Sequence, residues 1–292
     1  MSKIMKISII GSGVIGTIIG TGLETLGHEV IFYDIDSNRV EELKKNHNAT
    51  INLEYAIKNT SISFICVPTP YTNGFDSSYI ISATEEIAKI LKDKNSYHLI
   101  IIKSTVVPTT TEDIIIPILK KYNNIGKDVG ICMNPEFLTE IANTWTKDEG
   151  YKRDFFTEDR IVIGEYDKKS GDILEELYKP LNKPMFRVGL KTAEMVKYAS
   201  NCMLATKISY WNEIFLICQK VGIDSQKVAD IVGLDPRIRM YGTVHGKAFG
   251  GKCLPKDLKS FIEFAEKHQE VRLLKAIDDI NEDMIGEYGV RE

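Results

Sequence analysis

The chain has 292 residues, long enough for about two domains, and its 43% hydrophobic and 27% charged content is that of a folded protein with real cores. Lysine and arginine total 37 against 41 acidic residues, and the net charge of −4 argues against a general attraction to nucleic acid or an anionic membrane. No run approaches the ~18 apolar residues of a membrane span. The opening MSKIMKISIIGSG lacks a signal-peptide pattern, so a cytoplasmic location is expected.

From residue 6 to about 188, short β-branched runs alternate with amphipathic segments, the pattern of a parallel sheet wound with helices on both faces. Strands are expected at 6–10, 29–33, 61–67, 98–103, 129–133, 160–164 and 184–188, and helices at 14–26, 37–46, 78–94, 110–122 and 167–179. The polar stretch 143–159, NTWTKDEGYKRDFFTED, reads as an exposed loop. After Gly189 the pattern becomes helical for about 30 residues, far beyond the mean helix of ~11 to 12, and a helix that long usually bridges domains or subunits. Helices near 224–232 and from 255 to the end follow. The expected fold is therefore α/β: a doubly wound Rossmann domain at 1–189, then an all-helical domain at 190–292.

The first motif is KISIIGSGVIGTIIGTGLETLGHEVIFYDID. A strand enters Gly11-x-Gly13-x-x-Gly16, a helix leaves it, and the next strand ends in Asp34, 18 residues after Gly16. Gly11 makes the turn, Gly13 lets amides approach a pyrophosphate, and Gly16 lets helix pack on strand, with Val14 and Ile15 opening the helix on which the diphosphate sits. Asp34 accepts from a ribose 2′-hydroxyl and repels a 2′-phosphate, which favours NAD over NADP. Arg39 either lies near the adenine or is a solvated helix arginine.

Five cysteines, an odd number with no CxxC pair, predict neither a disulfide framework nor a metal site. Cys66, Cys132, Cys202 and Cys218 sit in apolar runs as small buried hydrophobes; Cys253, in GGKCLPKDL, does not. Placed just before a helix with Pro255 in its first turn and flanked by Lys252 and Lys256, its thiol is biased toward the nucleophilic thiolate, with Asp257 one turn on. The alternative is an ordinary loop cysteine among surface charges. On the long helix, Lys197 and Asn201 share a face, either to steady an oxyanion or as a wet stripe. At the carboxyl edge of the sheet, MNPEFLTE offers Glu136 and Glu140, and CVPTP and KSTVVPTTT offer Thr69, Ser104 and Thr105; each also reads as a solvated or capping residue.

Taken in order, GSGVIG, Asp34, CVPTP, KST, NPEFLTE, DRIVIG, the Lys197/Asn201 helix, LDPRI and FGGKCLPKD resemble the UDP-glucose/GDP-mannose dehydrogenase family over essentially the whole chain. The resemblance implies a 6-phosphogluconate-dehydrogenase-like architecture whose helical domain dimerises through the long helix, and oxidation of a nucleotide-sugar C6 alcohol to the carboxylate by two NAD, UDP-glucose to UDP-glucuronate, through a thiohemiacetal and a thioester. UDP-N-acetylmannosamine and GDP-mannose are alternative substrates. By the same resemblance Cys253 is the nucleophile, Asp257 an acid/base acting through water with Lys197, and Lys197 with Asn201 the oxyanion partners. It also implies that Glu136 activates water against the thioester, that Thr105 holds that water, and that Glu140, Ser104 and Lys256 lie near the nicotinamide ribose, with Thr69 facing the nicotinamide half of the site from its strand end. Phe137, Leu138, Phe249 and Gly250 are implied in substrate binding, as is Arg237, which reaches the sugar nucleotide of a second copy in a homodimer. Family members usually continue into a further domain that grips the uridine diphosphate, which this sequence lacks. That leaves open a truncated chain, a short natural protein, a lid from another chain, or a dimer that binds NAD without turnover. Gly246 and Lys247 stand where many relatives carry serine and an aromatic residue. A two-electron hydroxyacid dehydrogenase of the same architecture would need no cysteine.

Overall fold

The structure is a computed structural model that describes residues 4–139, 145–148, 151 and 153–291. It divides into two compact units: Met1–Pro70, Asp76–Phe137 and Asp154–Val196 form the first, and Tyr71–Phe75, Leu138–Arg153 and Lys197–Glu292 the second.

In the first unit β1 (Lys6–Ile10), β2 (Glu29–Tyr33), β3 (Ala49–Thr50), β4 (Ile62–Ile65), β5 (His98–Ile102), β6 (Val129–Met133), β7 (Ile161–Glu165) and β8 (Met185–Gly189) make one sheet in the order β3-β2-β1-β4-β5-β6-β7-β8. Every residue of β4, β5 and β6 is buried, as the middle of a sheet covered on both faces demands. The order reverses between β1 and β4, and in such sheets that switch point opens a crevice at the carboxyl edge. Helices α1 (Val14–Thr25), α2 (Ser37–Leu43), α3 (Leu53–Lys58), α4 (Ser78–Lys92), α5 (Ile116–Lys120) and α6 (Lys168–Tyr178) provide the connections. Aliphatic residues of the strands pack with Ile19 and Leu23 of α1 and Leu174 and Leu177 of α6 to form the core.

Several expectations are corrected. The sheet is not wholly parallel, because β7 runs antiparallel to β6 and β8 follows β7. Part of the β6–β7 connection, 138–153, belongs to the second unit, and a strand that re-enters from the edge its predecessor left must run the other way. The short β3 and α3 carried too little periodicity to be foreseen. The helix expected at 110–122 opens instead as a π-helical turn, Thr111–Ile115, before α5. Pro117 lacks the N–H of a regular ladder, and a widened turn accommodates it. The stretch read as an exposed loop contributes Phe155 to the first core and Trp145 to the second, each under 9% exposed, because large aromatic rings repay burial even among charged neighbours.

The boundary between units falls inside α7 (Leu190–Val221), the expected long helix, 32 residues in length. The second unit continues with α8 (Ser225–Val232), β9 (Ala248–Phe249), α9 (Leu254–Glu266), α10 (Leu273–Tyr288) and β10 (Val290–Arg291). The expected final helix is thus two, parted where Val271 turns into the core. The unit is not all-helical either: β9 and β10 pair in parallel, Ala248 with Val290 and Phe249 with Arg291. Among the described residues no helix is long and apolar enough to cross a membrane.

Candidate active site

The nucleotide half lies at the β1–α1 turn of the first unit. Gly11 adopts φ +90° and donates its N–H to Tyr33 O at 2.9 Å, tying the turn to β2. A Cβ on Gly16 would stand 2.1 Å from Gly11 O, so only glycine lets α1 pack this closely. A Cβ on Gly13 would meet nothing within 4 Å, and Gly13 caps α1 without any side-chain bond. The first amides of the helix therefore have open space in front of them, and Val14 is 52% exposed beside it. Asp34 accepts from Ser12 N at 2.7 Å and from Asp36 N at 3.0 Å, which fixes the carboxylate at the end of β2. Arg39 spans the turn: Nε donates to Ser12 O at 2.8 Å and Nη2 to Thr17 Oγ1 at 2.9 Å. An open helix N-terminus, an unobstructed glycine and an acid at the second strand fit the diphosphate and ribose of NAD.

Beyond the switch point two hydroxyls strap the strand ends together. Thr69 Oγ1 donates to Thr105 O at 2.7 Å, and Ser104 Oγ donates to Val67 O at 2.7 Å. Thr69, Ser104 and Thr105 therefore share one segment of the carboxyl edge. Below them, the buried Lys103 donates to Asn134 Oδ1 at 2.9 Å, Tyr178 donates to the same oxygen at 2.8 Å, and Asn134 Nδ2 donates to Val162 O at 2.8 Å. That network fixes the start of the NPEF segment and went unnoticed in the sequence, although KST and MNP carry its two ends. Glu136 follows, 8% exposed, and Phe137 donates its N–H to Glu158 at 2.8 Å with the Arg160 guanidinium 4.0 Å from its ring. Glu140 lies outside the described residues.

In the second unit Cys253 is the exposed cysteine and caps α9, with Leu254 and Pro255 opening the helix. Asp257 N donates to Cys253 O at 2.9 Å. The Asp257 side chain, 1% exposed, accepts from Asn201 Nδ2 at 2.6 Å and from Lys256 Nζ at 2.5 Å. Lys197, 4% exposed, precedes Asn201 by one turn of α7. The structure thus brings Cys253, Lys256, Asp257 and Asn201 together, and pairs Lys256 with Asp257. The other thiols contrast with Cys253, since burial pushes Cys66 and Cys202 up to about 12 and Cys132 higher still.

The loop leading to Cys253 is clamped by two buried asparagines absent from the sequence reading. Asn212 accepts from Gly246 N at 2.8 Å and donates to Lys247 O at 2.9 Å. Asn281 accepts from Phe249 N at 2.8 Å and donates to Phe249 O at 3.1 Å, imitating a neighbouring strand. Their only sequence signal is an amide in an apolar helix face. Phe249, which the resemblance implies in substrate binding, is 1% exposed and packs with Trp145, Cys202 and Leu258. Gly250 beside it fits the end of β10, because a Cβ there would lie 2.1 Å from Val290. Leu138 is half-buried, and Arg237 is exposed with its guanidinium on Asp235 at 2.6 Å.

The NAD binding domain of the UDP-glucose/GDP-mannose dehydrogenase family matches residues 5–51 and 44–182, and the central domain of that family matches 191–283. The chain is 38% identical over 283 residues to GDP-mannose 6-dehydrogenase of Pseudomonas syringae pv. tomato, covering 88% of this chain and 63% of that one. It is 35% identical over 307 residues to UDP-glucose 6-dehydrogenase AglM of Haloferax volcanii, covering 95% and 70%. The structure of a UDP-glucose dehydrogenase from Pyrobaculum islandicum superposes with a TM-score of 0.89 at 32% identity, over 97% of this chain and 69% of that one. The chain therefore spans about two thirds of the length of these relatives. It binds NAD through its first domain and belongs to the UDP-glucose/GDP-mannose dehydrogenase family.

Proposed function

We propose that the chain carries the NAD-dependent oxidation of a nucleotide-sugar C6 alcohol to the carboxylate, with UDP-glucose as substrate and UDP-glucuronate as product. The observation that carries this reading is Cys253: an exposed thiol at the head of α9 beside a buried Asp257 that is already hydrogen-bonded to Asn201 and Lys256. A helix N-terminus favours a thiolate, and a two-electron oxidation has no use for one.

Bound NAD accepts one hydride in each of the two oxidations. In the first, the C6 hydroxyl proton passes through water to Lys197 and Asp257, and Asn201 with Lys197 steadies the oxyanion as the aldehyde forms. The Cys253 sulfur adds to the aldehyde carbon, and the oxygen takes a proton, giving a thiohemiacetal. After the second oxidation the same sulfur holds a thioester. Water held by Thr105 and deprotonated by Glu136 adds to the thioester carbon; the carbon–sulfur bond breaks and Cys253 returns as thiolate. Gly11, Gly13 and Gly16 hold the diphosphate and Asp34 the adenosine ribose.

Two copies are proposed to pair along α7. Met203, Tyr210 and Ile217 recur every seven residues, each more than half exposed, and an open groove of about 470 Å³ runs beside them, lined by Lys207, Trp211, Val232 and Arg237. A cytoplasmic setting, in which thiols stay reduced, suits a free nucleophilic cysteine.

The test is NADH yield per sugar with UDP-glucose, GDP-mannose and UDP-N-acetylmannosamine. Two NADH per UDP-glucose, with Cys253→Ser slowed at least about a thousandfold, is the expected result. One NADH per sugar with Cys253→Ser unimpaired would point to the hydroxyacid mechanism. NAD binding without reduction by any of the three sugars would leave a binding dimer.

A further inference from the structure

Glu194 lies one turn of α7 before Lys197, and its side chain is 0% exposed. Buried carboxylates are costly unless every acceptor is used. Here one oxygen accepts from Thr109 N at 2.7 Å, and the other from Thr111 N at 2.8 Å and Thr111 Oγ1 at 2.6 Å. All three donors belong to the short stretch that ends the segment leaving β5, the segment that begins with Ser104 and Thr105.

That stretch is strained. Thr109 sits at φ +78°, in the left-handed region where a β-branched residue is most disfavoured and where glycine would sit freely. The chain then enters the π-helical turn Thr111–Ile115, itself an uncommon conformation that is frequent at functional sites. Strain of this kind persists only where the surroundings over-determine the backbone. At the near end Thr69 and Ser104 do so, through Thr105 O and Val67 O. In the middle Thr110 Oγ1 donates to Val107 O at 2.6 Å. At the far end Glu194 alone receives both Thr109 N and Thr111 N.

We infer that Glu194 is a positioning residue for the hydrolytic step: it holds the 104–111 segment against the strain at Thr109, so that Thr105 is presented in one orientation. The inference rests on the reading above in which Thr105 holds the attacking water. It assigns a purpose to three features that the catalytic scheme does not use, the buried acid, the left-handed threonine and the π turn.

The experiment is a cycle of Glu194→Gln, Thr109→Gly and the double variant. Glutamine keeps the shape and one acceptor oxygen but turns an NH₂ toward a donor. Glu194→Gln is expected to leave the rate of forming the first two NADH per site within about twofold, and to slow the following steady state by roughly ten- to a hundredfold, the size of effect that a misplaced reacting group produces. Thr109→Gly alone should be within about twofold of wild type, and should restore most of the loss in the double variant, because glycine holds φ near +78° without the restraint. Equal slowing of both phases, or a double variant no faster than Glu194→Gln, would overturn the proposal. Thr111→Val, which removes only the hydroxyl bond, gives the same test at smaller amplitude should Glu194→Gln not fold. Amide exchange separates this proposal from the function itself. If wild type oxidises no nucleotide sugar, the proposed reaction falls, and the role of Glu194 is then decided by whether Glu194→Gln speeds exchange at Thr109 and Thr111; unchanged exchange refutes it.

Discussion

The glycine turn at residues 11–16 and the glycine loop at 246–251 both bend at left-handed glycines, Gly11 at φ +90° in one and Gly246 and Gly251 at +87° and +75° in the other. They are held in opposite ways. The first is secured by the strand and helix that directly follow α1: Gly11 and Ser12 reach Tyr33 and Asp34, 22 residues on, and Arg39 of α2 closes over it. The second is secured from a distance by Asn212, Asn281 and β10, with 34 and 32 residues separating the asparagines from their partners. A turn specified locally survives in the sequence as a spaced motif. A loop specified by remote amides leaves only its own glycines to be seen.

The largest expected effect separates two positions within the local turn. Gly16→Ala forces a Cβ to 2.1 Å from Gly11 O, so α1 must shift off β1. A loss of about 3 kcal/mol in urea unfolding is expected, at the upper end for overpacking, with NAD affinity reduced at least about a hundredfold since the helix amides move with it. Gly13→Ala meets nothing within 4 Å, so its unfolding curve should match wild type while calorimetry shows weaker NAD binding. Equal destabilisation by both would break the claim that one glycine serves packing and the other the ligand.

A third segment, 104–111, belongs to the remote kind, and its restraint titrates. Burial raises Glu194 from 4.5 to about 7 against the opposing pull of its hydrogen bonds to Thr111 and Thr109, with Glu112 adding repulsion. Between those values the folded state carries a proton that the unfolded chain has lost, so the contribution of Glu194 to stability falls as pH rises from 4.5 to 7. The change is on the order of 3 kcal/mol. The buried His98 acts in the other sense: desolvation and Lys94 hold its pKa well below 6.5, so the stability it lends is lost as pH falls. The difference between wild type and Glu194→Gln isolates the carboxylate, and a difference flat between pH 5 and 7.5 would remove the restraint from the list of titrating groups.

Asn281→Ala tests the remote clamp directly. It strands Phe249 N–H and C=O inside the core, for which about 2 kcal/mol is expected. NAD binding to the first unit should not change, and alkylation of Cys253 should lose its uniform rate as the loop leading to it gains alternative conformations. Stability unchanged in this variant would mean that β10 alone holds the loop.

The same contrast accounts for what the sequence disclosed. β1, α1, β2 and Asp34 were legible because strand, glycines and acid follow one another within a single unit of chain. Cys253 was legible because Pro255 and the flanking lysines mark a helix start locally. The antiparallel β7, the pairing of β9 with β10, and the burial of Phe155, Trp145 and Phe249 were not, since each depends on what a distant segment places opposite. Phe249 is the instructive case, since its burial is set by Trp145 and Leu258 in three dimensions.

Arg39→Ala carries the smallest effect and the sharpest form of the comparison. The side chain makes bonds to Ser12 O and Thr17 Oγ1, but its ion pair with Glu42 is at the surface and contributes little. Ser12 remains held through its N–H on Asp34 and its hydroxyl on Tyr33 O, and the freed acceptors can turn to water. A loss under about 1 kcal/mol is therefore expected, with NAD affinity down a few fold. Redundancy of bonds makes the first turn tolerant of a single deletion, whereas the buried Phe249 amide has Asn281 as its partner and no water to replace it. If Arg39→Ala proves as damaging as Asn281→Ala, the distinction between a locally closed and a remotely clamped glycine loop fails.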